Sequence, residues 1–531
     1  PGPVRELLLA SIPASPPPCL LVLCASFSSP LPLIPNLINM LPFLRHKSFI
    51  NFKMLLRVIG WLLLIEAGFM IIPCITALIY GEQSYLDFLI CIGITAVCGV
   101  SMMSLKPDSR EMGRREAILL TGLTWVILSL FGMLPFMICS THLSITDGFF
   151  ETMSGFTTTG ATTLNTLHDV PRSILLWRCV VQWIGGLGII LFTLAVLPML
   201  NYQGGMQLFN AEVTGITHDK LRPRVSFTAQ GLWIVYISLT ALLTILLLCS
   251  KMDVFSAVCY GLSTMSTGGF APSDMSLDEW DSLYVKIVMT IFMFIGGVNF
   301  SLLFKAVTGN PRTAFKNDAL RWYLWIILIC YLLLCLNVVL RGLVKNVEDI
   351  TIDPLFQAVS ILSSTGLTEP DFYDWGPVAI VVLIIMMVMG ACAGSTSGGA
   401  KIDRFIVLFK FLKNEFYKVM NPTSVTTVCI NGKGTSYILV QKVLAFLFLY
   451  IIVIIFGGMA LVLFGLPLKD SFFCALSAIS NTGLGTDITG VAGNYAYVPD
   501  AVKWILAFIM LVGRLELFTI LVIFTPVFWK K

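Results

Sequence analysis

Ten long apolar runs decide what this chain can become. They cover residues 54–80, 86–105, 117–139, 175–200, 231–250, 284–307, 322–340, 378 onward, 437–464 and 502–524. A helix needs about 18 to 20 apolar residues to cross a bilayer, and these runs are of that order. In lipid, every backbone N–H and C=O must find a partner within the chain, so runs of this length span as helices. Of the 531 residues, 57% are hydrophobic and only 12% are charged; a soluble domain carries about 25% charged residues. The expectation is an all-α polytopic membrane protein.

Residues 1–53 are set apart by Pro16, Pro17, Pro18, Pro30, Pro32, Pro35 and Pro42. Proline at this density breaks helices, and the segment reads as a disordered or non-native extension, with Met40 or Met54 as natural starts. The 14 Cys and four His show no metal-ligand or haem spacing, so neither a disulfide framework nor a metal centre is expected. No HExxH, paired intramembrane Asp or Ser–His arrangement is present, and an enzyme is not expected.

Between the runs lie polar intervals that fit neither a span nor a soluble loop. The first is Ser154-Gly155-Phe156-Thr157-Thr158-Thr159-Gly160-Ala161-Thr162-Thr163. Its Thr-Gly core recurs as Thr267-Gly268, Thr365-Gly366 and Thr482-Gly483, the glycines lying 108, 98 and 117 residues apart by subtraction. Each pair follows a short mixed segment and precedes another run, so the chain holds a four-fold repeat of span, short helix, Gly loop and span. Asp147, Asp353 and Asp470 each stand 13 residues before their glycine, and Ser154, Ser360 and Ser477 each stand 6 before it. The Asp residues read as N-caps of the short helices. The second copy departs, with Asp253 standing 15 before Gly268.

The expected architecture is therefore four pseudo-symmetric helix–pore-helix–filter-loop–helix repeats around one central pore, preceded by two extra transmembrane helices. The assigned segments are a leading pair at 54–105 and repeats at 106–200, 201–310, 311–420 and 421–531. Basic residues crowd 106–115, 220–224, 305–321, 401–442 and 530–531, at the span ends opposite the Thr-Gly loops. The positive-inside rule makes those ends cytoplasmic and the loops outward-facing.

Irregular backbone at membrane depth survives when it is buried or lines a wet path, and a ring of carbonyls can replace the hydration shell of a cation. Thr158, Thr159, Gly160, Thr267, Gly268, Thr365, Gly366, Thr482 and Gly483 are the candidate coordinating residues. No carboxylate stands between Thr and Gly in any copy, which suits a monovalent cation better than Ca²⁺.

These loops resemble the filter set of the Trk/Ktr/HKT superfamily of potassium transporters, in its TrkH-like branch. Gln182-Trp183-Ile184-Gly185-Gly186-Leu187-Gly188 resembles that family's second span of repeat one. Gly390 to Lys401 resembles its intramembrane gating loop, and Gly513-Arg514-Leu515-Glu516 its last span. The resemblance covers residues from about 54 to 531 and implies potassium uptake in a bacterial inner membrane. K⁺ is the implied transported ion, with no organic cofactor. The implied partners are a second copy of the chain in a homodimer, membrane lipid and a peripheral cytoplasmic TrkA-like nucleotide-binding subunit, with no nucleic acid. The chain itself has no GxGxxG after a strand and no Walker sequence, so nucleotide control would come from another chain. A Na⁺-permeable or Na⁺/H⁺-coupled symporter on the same scaffold is the alternative; in the plant branch a Ser at the first filter Gly goes with Na⁺, and here Gly stands at all four positions.

Gly394, Ser395, Thr396, Ser397, Gly398 and Gly399 interrupt the third repeat's last span. They are expected to form a flexible strip that obstructs the pore and moves to open it, with Lys401 beside it. Arg514, a charge in the middle of an apolar run, is expected to face the pore or a partner. Glu516 stands at i+2 from it and does not share its helix face. Glu151 is placed either behind the filter backbone or at a solvated outer position.

Overall fold

The computed structural model describes residues 50–106, 112–186, 188, 225–274, 280, 282–309, 316–343, 346–368, 375–486, 489 and 494–530. The chain divides into 1–52 and 53–531; the second unit is the subject here. Residues 1–49, the end of the 175–200 run, the basic cluster at 220–224 and parts of those at 106–115 and 305–321 lie outside the described residues.

The leading helices are α1 (Phe52–Phe69), α2 (Ile71–Tyr80) and α3 (Ser84–Met103). α1 and α2 form one 29-residue span broken at Met70, with Pro73 in the first turn of α2, where its missing N–H costs nothing. α1 crosses α3 at two glycines. A Cβ on Gly60 would stand 2.6 Å from the Gly99 carbonyl oxygen, so only hydrogen there lets the two backbones meet.

Four modules follow. The first holds α4 (Arg114–Gly132), its continuation α5 (Leu134–Ile138), the short α6 (Ile145–Phe156) and α7 (Arg172–Gly186). The second has α8 (Val225–Leu248), the short α9 (Val254–Ser266), α10 (Leu283–Gly296) and α11 (Phe300–Val307). In the third are α12 (Asp318–Leu340), α13 (Val347–Leu362), α14 (Pro377–Met389) and α15 (Ile402–Met420). The fourth opens with an antiparallel hairpin of β1 (Cys429–Ile430) and β2 (Lys433–Gly434). Then come α16 (Tyr437–Leu463), the short α17 (Leu468–Ser480), α18 (Asp500–Arg514), α19 (Leu517–Leu521), a 3₁₀ turn (Val522–Phe524) and α20 (Pro526–Trp529).

The modules interlock in a cycle. The helix after each loop packs on the short helix of the next module: α7 on α9, α10 on α13, α14 on α17, and α18 back on α6. The last of these joins the fourth module to the first, and aromatic packing seals it: Phe149 of α6 stacks on Trp504 of α18 at 4.7 Å. Outward faces are apolar, with Ile234, Ile245, Leu332, Phe448 and Phe456 exposed, as lipid requires.

Two sequence expectations change. The runs at 284–307 and 502–524 are not continuous helices: α10 and α11 meet at 104°, and α18 and α19 at 117°. Asn299 starts α11 afresh, its side-chain oxygen accepting from the N–H groups of Ser301 and Leu302, and Glu516 takes a φ of 60° that ends α18. The Asp N-caps are also displaced. Ser144 caps α6, accepting from the Asp147 N–H at 3.1 Å and donating to its carboxylate at 2.7 Å. Asp470 follows Pro467, the first flanking residue of α17, and Asp353 lies inside α13, which begins at Val347. Among the four, Asp253 alone is a true N-cap, accepting from the Ser256 N–H at 3.3 Å. For Asp147 and Asp470, spacing alone did not distinguish the cap from the third helical position, which also favours a carboxylate.

Candidate functional site

The four short helices end alike. Thr158, Thr267, Ser364 and Asn481 take φ values of 54°, 54°, 53° and 51°, in the left-handed region where a non-glycine residue is uncommon and a β-branched one is strained. The next N–H in each loop reaches back five residues to a serine carbonyl. Thr159 donates to Ser154 at 2.8 Å, Gly268 to Ser263 at 3.0 Å, Thr365 to Ser360 at 2.8 Å and Thr482 to Ser477 at 3.0 Å. This is a Schellman closure, repeated four times.

It also fixes the register. The glycines with positive φ are Gly160, Gly269, Gly366 and Gly483. In the second module the Gly160 position therefore belongs to Gly269, and Gly268 stands where the others have Thr159, Thr365 and Thr482. With this one-residue shift, Ser263 takes its place six residues before the glycine and Asp253 falls at the same point as Ser144. The second module ceases to be irregular. Its Thr267-Gly268-Gly269 offers two glycines, and matching on Thr-Gly selects the first.

The four loops close on one another. A Cβ on Gly160 would collide with the Gly268 carbonyl oxygen, one on Gly269 with that of Thr365, one on Gly366 with that of Thr482, and one on Gly483 with that of Thr159. Each glycine thus abuts the carbonyl before its counterpart in the next module, and the fourth returns to the first. Glycine is required twice over at each point, for positive φ and for this approach. Among the described residues, no hydrogen bond reaches the carbonyls of Thr159, Thr365 or Thr482. The hydroxyls of those residues pair instead with hydroxyls two positions earlier: Thr157 at 2.8 Å, Ser363 at 2.7 Å and Ser480 at 2.9 Å.

Behind the first loop, Glu151 is buried. It accepts from the Thr163 N–H at 2.7 Å and pairs with Arg178 of α7 at 2.7 Å. Of the two placements open for Glu151, the one behind the loop backbone holds. Arg178 also donates to the Thr162 hydroxyl at 3.0 Å and lies over the Phe270 ring of the second loop.

The segment from Gly390 to Lys401 is a non-helical loop packed against the short helices' ends. Thr396 and Ser397 are buried. The Thr396 hydroxyl meets the carbonyls of Gly296 at 3.1 Å and Met265 at 3.3 Å, and the Gly398 N–H donates to the Ser364 hydroxyl at 2.5 Å. Gly394 takes a φ of 76°, and its carbonyl accepts from the Phe300 N–H at 3.0 Å. Ser395 bonds back to the Cys392 carbonyl at 2.6 Å, Gly399 has a φ of 74°, and Lys401 donates to the Ser397 carbonyl. Arg514 ties this loop to α7. Its guanidinium donates to the Thr396 carbonyl at 2.8 Å and to those of Gly185 and Gly186 at 2.6 and 2.7 Å, at the negative end of α7. Glu516 pairs with Arg404, not with Arg514.

Residues 82–531 match the TrkH family, described as cation transport protein. The Trk system potassium uptake protein TrkH of Escherichia coli K12 is 34% identical over 491 residues, covering 91% of this chain and all of that protein. The chain belongs to the TrkH family. Another relative is the Trk system potassium uptake protein TrkI of Halomonas elongata, 32% identical over 90% of this chain and 97% of its own length. The crystal structure of the potassium transporter TrkH from Vibrio parahaemolyticus is similar with a TM-score of 0.81 and 31% identity, covering 90% of this chain and all of that one. Like that family's fold, this is a polytopic all-α integral membrane protein.

In this TrkH-family chain, sequence reasoning passed over Arg178 and quoted Gln182 only as part of a family motif, giving neither a role in the ring's support. Arg178 and Gln182 stand four apart on α7, an apolar helix, and so share a face. Polar residues at that spacing within a span were the available signal.

Proposed function

We propose that the protein takes up potassium across the cytoplasmic membrane through the ring formed by Thr159-Gly160, Gly268-Gly269, Thr365-Gly366 and Thr482-Gly483. The observation that supports this reading is the cyclic abutment of four glycines on four carbonyls, which brings backbone oxygens from four parts of the chain together in one ring. The lack of carboxylates between these residues favours a monovalent cation, and glycine at all four positions favours K⁺ over Na⁺. The Gly390–Lys401 loop and Arg514 form the gate: the loop lies across the path below the ring and Arg514 latches it to α7. The basic ends of the spans face the cytoplasm and dock a TrkA-like nucleotide-binding subunit, and the chain works as a homodimer. Conduction down the membrane potential and symport with H⁺ or Na⁺ both use such a ring.

The test is Rb⁺ uptake, with Na⁺ as competitor, in cells lacking their own K⁺ import. Gly160→Ser, Gly269→Ser and Gly366→Ser are expected to lower uptake and shift preference toward Na⁺. Unchanged rates and preference in all three would overturn the assignment.

A further inference from the structure

One quadrant of the ring is built differently. Three modules place a threonine before the ring glycine and brace its hydroxyl against a neighbouring hydroxyl. The second module has Gly268 there and no side chain to brace. Gln182, from α7 of the first module, fills that space: a Cβ on Gly268 would lie 2.5 Å from the Gln182 Cδ. Both ends of its amide bond to the second module. Nε2 donates to the Gly268 carbonyl at 2.7 Å, and Oε1 accepts from the Ser263 hydroxyl at 3.0 Å and the Phe270 N–H at 3.2 Å. Gln182 is completely buried, and Gly268 has an ordinary negative φ, so the backbone does not itself demand glycine there. The glutamine does.

We propose that Gln182 is a positioning residue that sets the ion preference of the ring. This rests on the reading of the ring as the cation path. The Gly268 carbonyl is the one among the four ring carbonyls that a side-chain donor holds among the described residues. An unbraced carbonyl can swing inward and close on a smaller ion, and preference for a larger cation needs carbonyls that resist that collapse. In three modules a hydroxyl pair fixes the threonine that carries the carbonyl, without touching the carbonyl itself. In the second, a side chain borrowed from its neighbour holds the carbonyl directly, and this couples the first and second quadrants.

The experiment measures Rb⁺ uptake and its inhibition by Na⁺ in cells lacking K⁺ import, with membrane protein quantified in parallel. Gln182→Met keeps the length and removes the donor. Inhibition by Na⁺ should strengthen on the order of tenfold, as loss of one hydrogen bond allows. A merely structural role would lower the amount of protein without moving that ratio. Gly268→Ala should lose uptake because its methyl meets Gln182. In Gln182→Ala/Gly268→Ala, uptake should recover about tenfold over Gly268→Ala while Na⁺ discrimination stays low. Wild-type discrimination in Gln182→Met overturns the proposal, as does full activity of Gly268→Ala. Should Gln182→Met not reach the membrane, the double variant decides: no recovery over Gly268→Ala overturns the proposal. Gly160→Ser separates the two levels. If it leaves ion preference unchanged, the ring reading fails; if it shifts preference while Gln182→Met does not, the role of Gln182 alone fails.

Discussion

The Thr159 carbonyl oxygen occupies the space where a side chain on Gly483 would begin. These residues belong to the first and last modules of a linear chain, and their contact is what makes a row of four repeats into a ring. Gly483→Ala puts a methyl on that oxygen at a φ of 77°, where alanine is also strained. Rb⁺ uptake should fall more than about tenfold, with the protein still present in the membrane. Near-normal uptake would mean that the seam between the modules is looser than the contact implies.

The same seam is held further out by charge. Lys503 of α18 is buried and pairs with Asp147 of α6 at 2.5 Å. Lys503→Met leaves a partly exposed carboxylate, whereas Asp147→Asn leaves a buried ammonium whose remaining acid partner is the exposed Asp500 at 3.7 Å, the costlier state. Asp147→Asn should lower the melting temperature of the detergent-solubilised protein more than Lys503→Met does, and pairing the two should recover part of the loss. Thermal unfolding of the three variants checks the order.

Arg178 and Glu151 form a buried pair at 2.7 Å. Removing one partner of such a pair costs about 3–5 kcal/mol, while replacing both is far less damaging. Arg178→Met should therefore destabilise strongly, and Arg178→Met/Glu151→Gln should be more stable than Arg178→Met alone. A double-mutant cycle read by thermal unfolding measures the coupling.

Among the described residues, Arg514 donates to three backbone carbonyls, one on the Gly390–Lys401 loop and two at the end of α7. Arg514→Ala releases the loop from α7. The expected result is a several-fold rise in cation flux through purified protein in liposomes, on the scale of losing one or two charge-assisted bonds. A fall in flux with normal amounts of protein would show that Arg514 supports conduction instead of restraining it.

Hydropathy marked where the chain crosses the membrane, because runs such as 322–340 and 437–464 have one way to satisfy their backbone in lipid. It did not mark the breaks after Gly296 and Arg514, since Asn299 and Glu516 end and restart helices by local geometry that apolar averages do not register. Repeat spacing found three of the four ring glycines and missed the fourth by one residue. Gly268 and Gly269 are chemically identical, and backbone φ alone separates them. Gln182 was visible as a polar residue in an apolar helix, but its partner is 86 positions away in the next module.

By itself, the sequence determined an all-α membrane chain of four repeats, each with a short helix aimed at a glycine loop. Periodicity and lipid solvation act locally, so they can be read along the chain. Tertiary structure decided that the repeats close, which glycine serves in the second module, and that a side chain of the first module holds the Gly268 carbonyl. Those outcomes depend on groups from different modules meeting at hydrogen-bond distance, and only the folded ring brings them together.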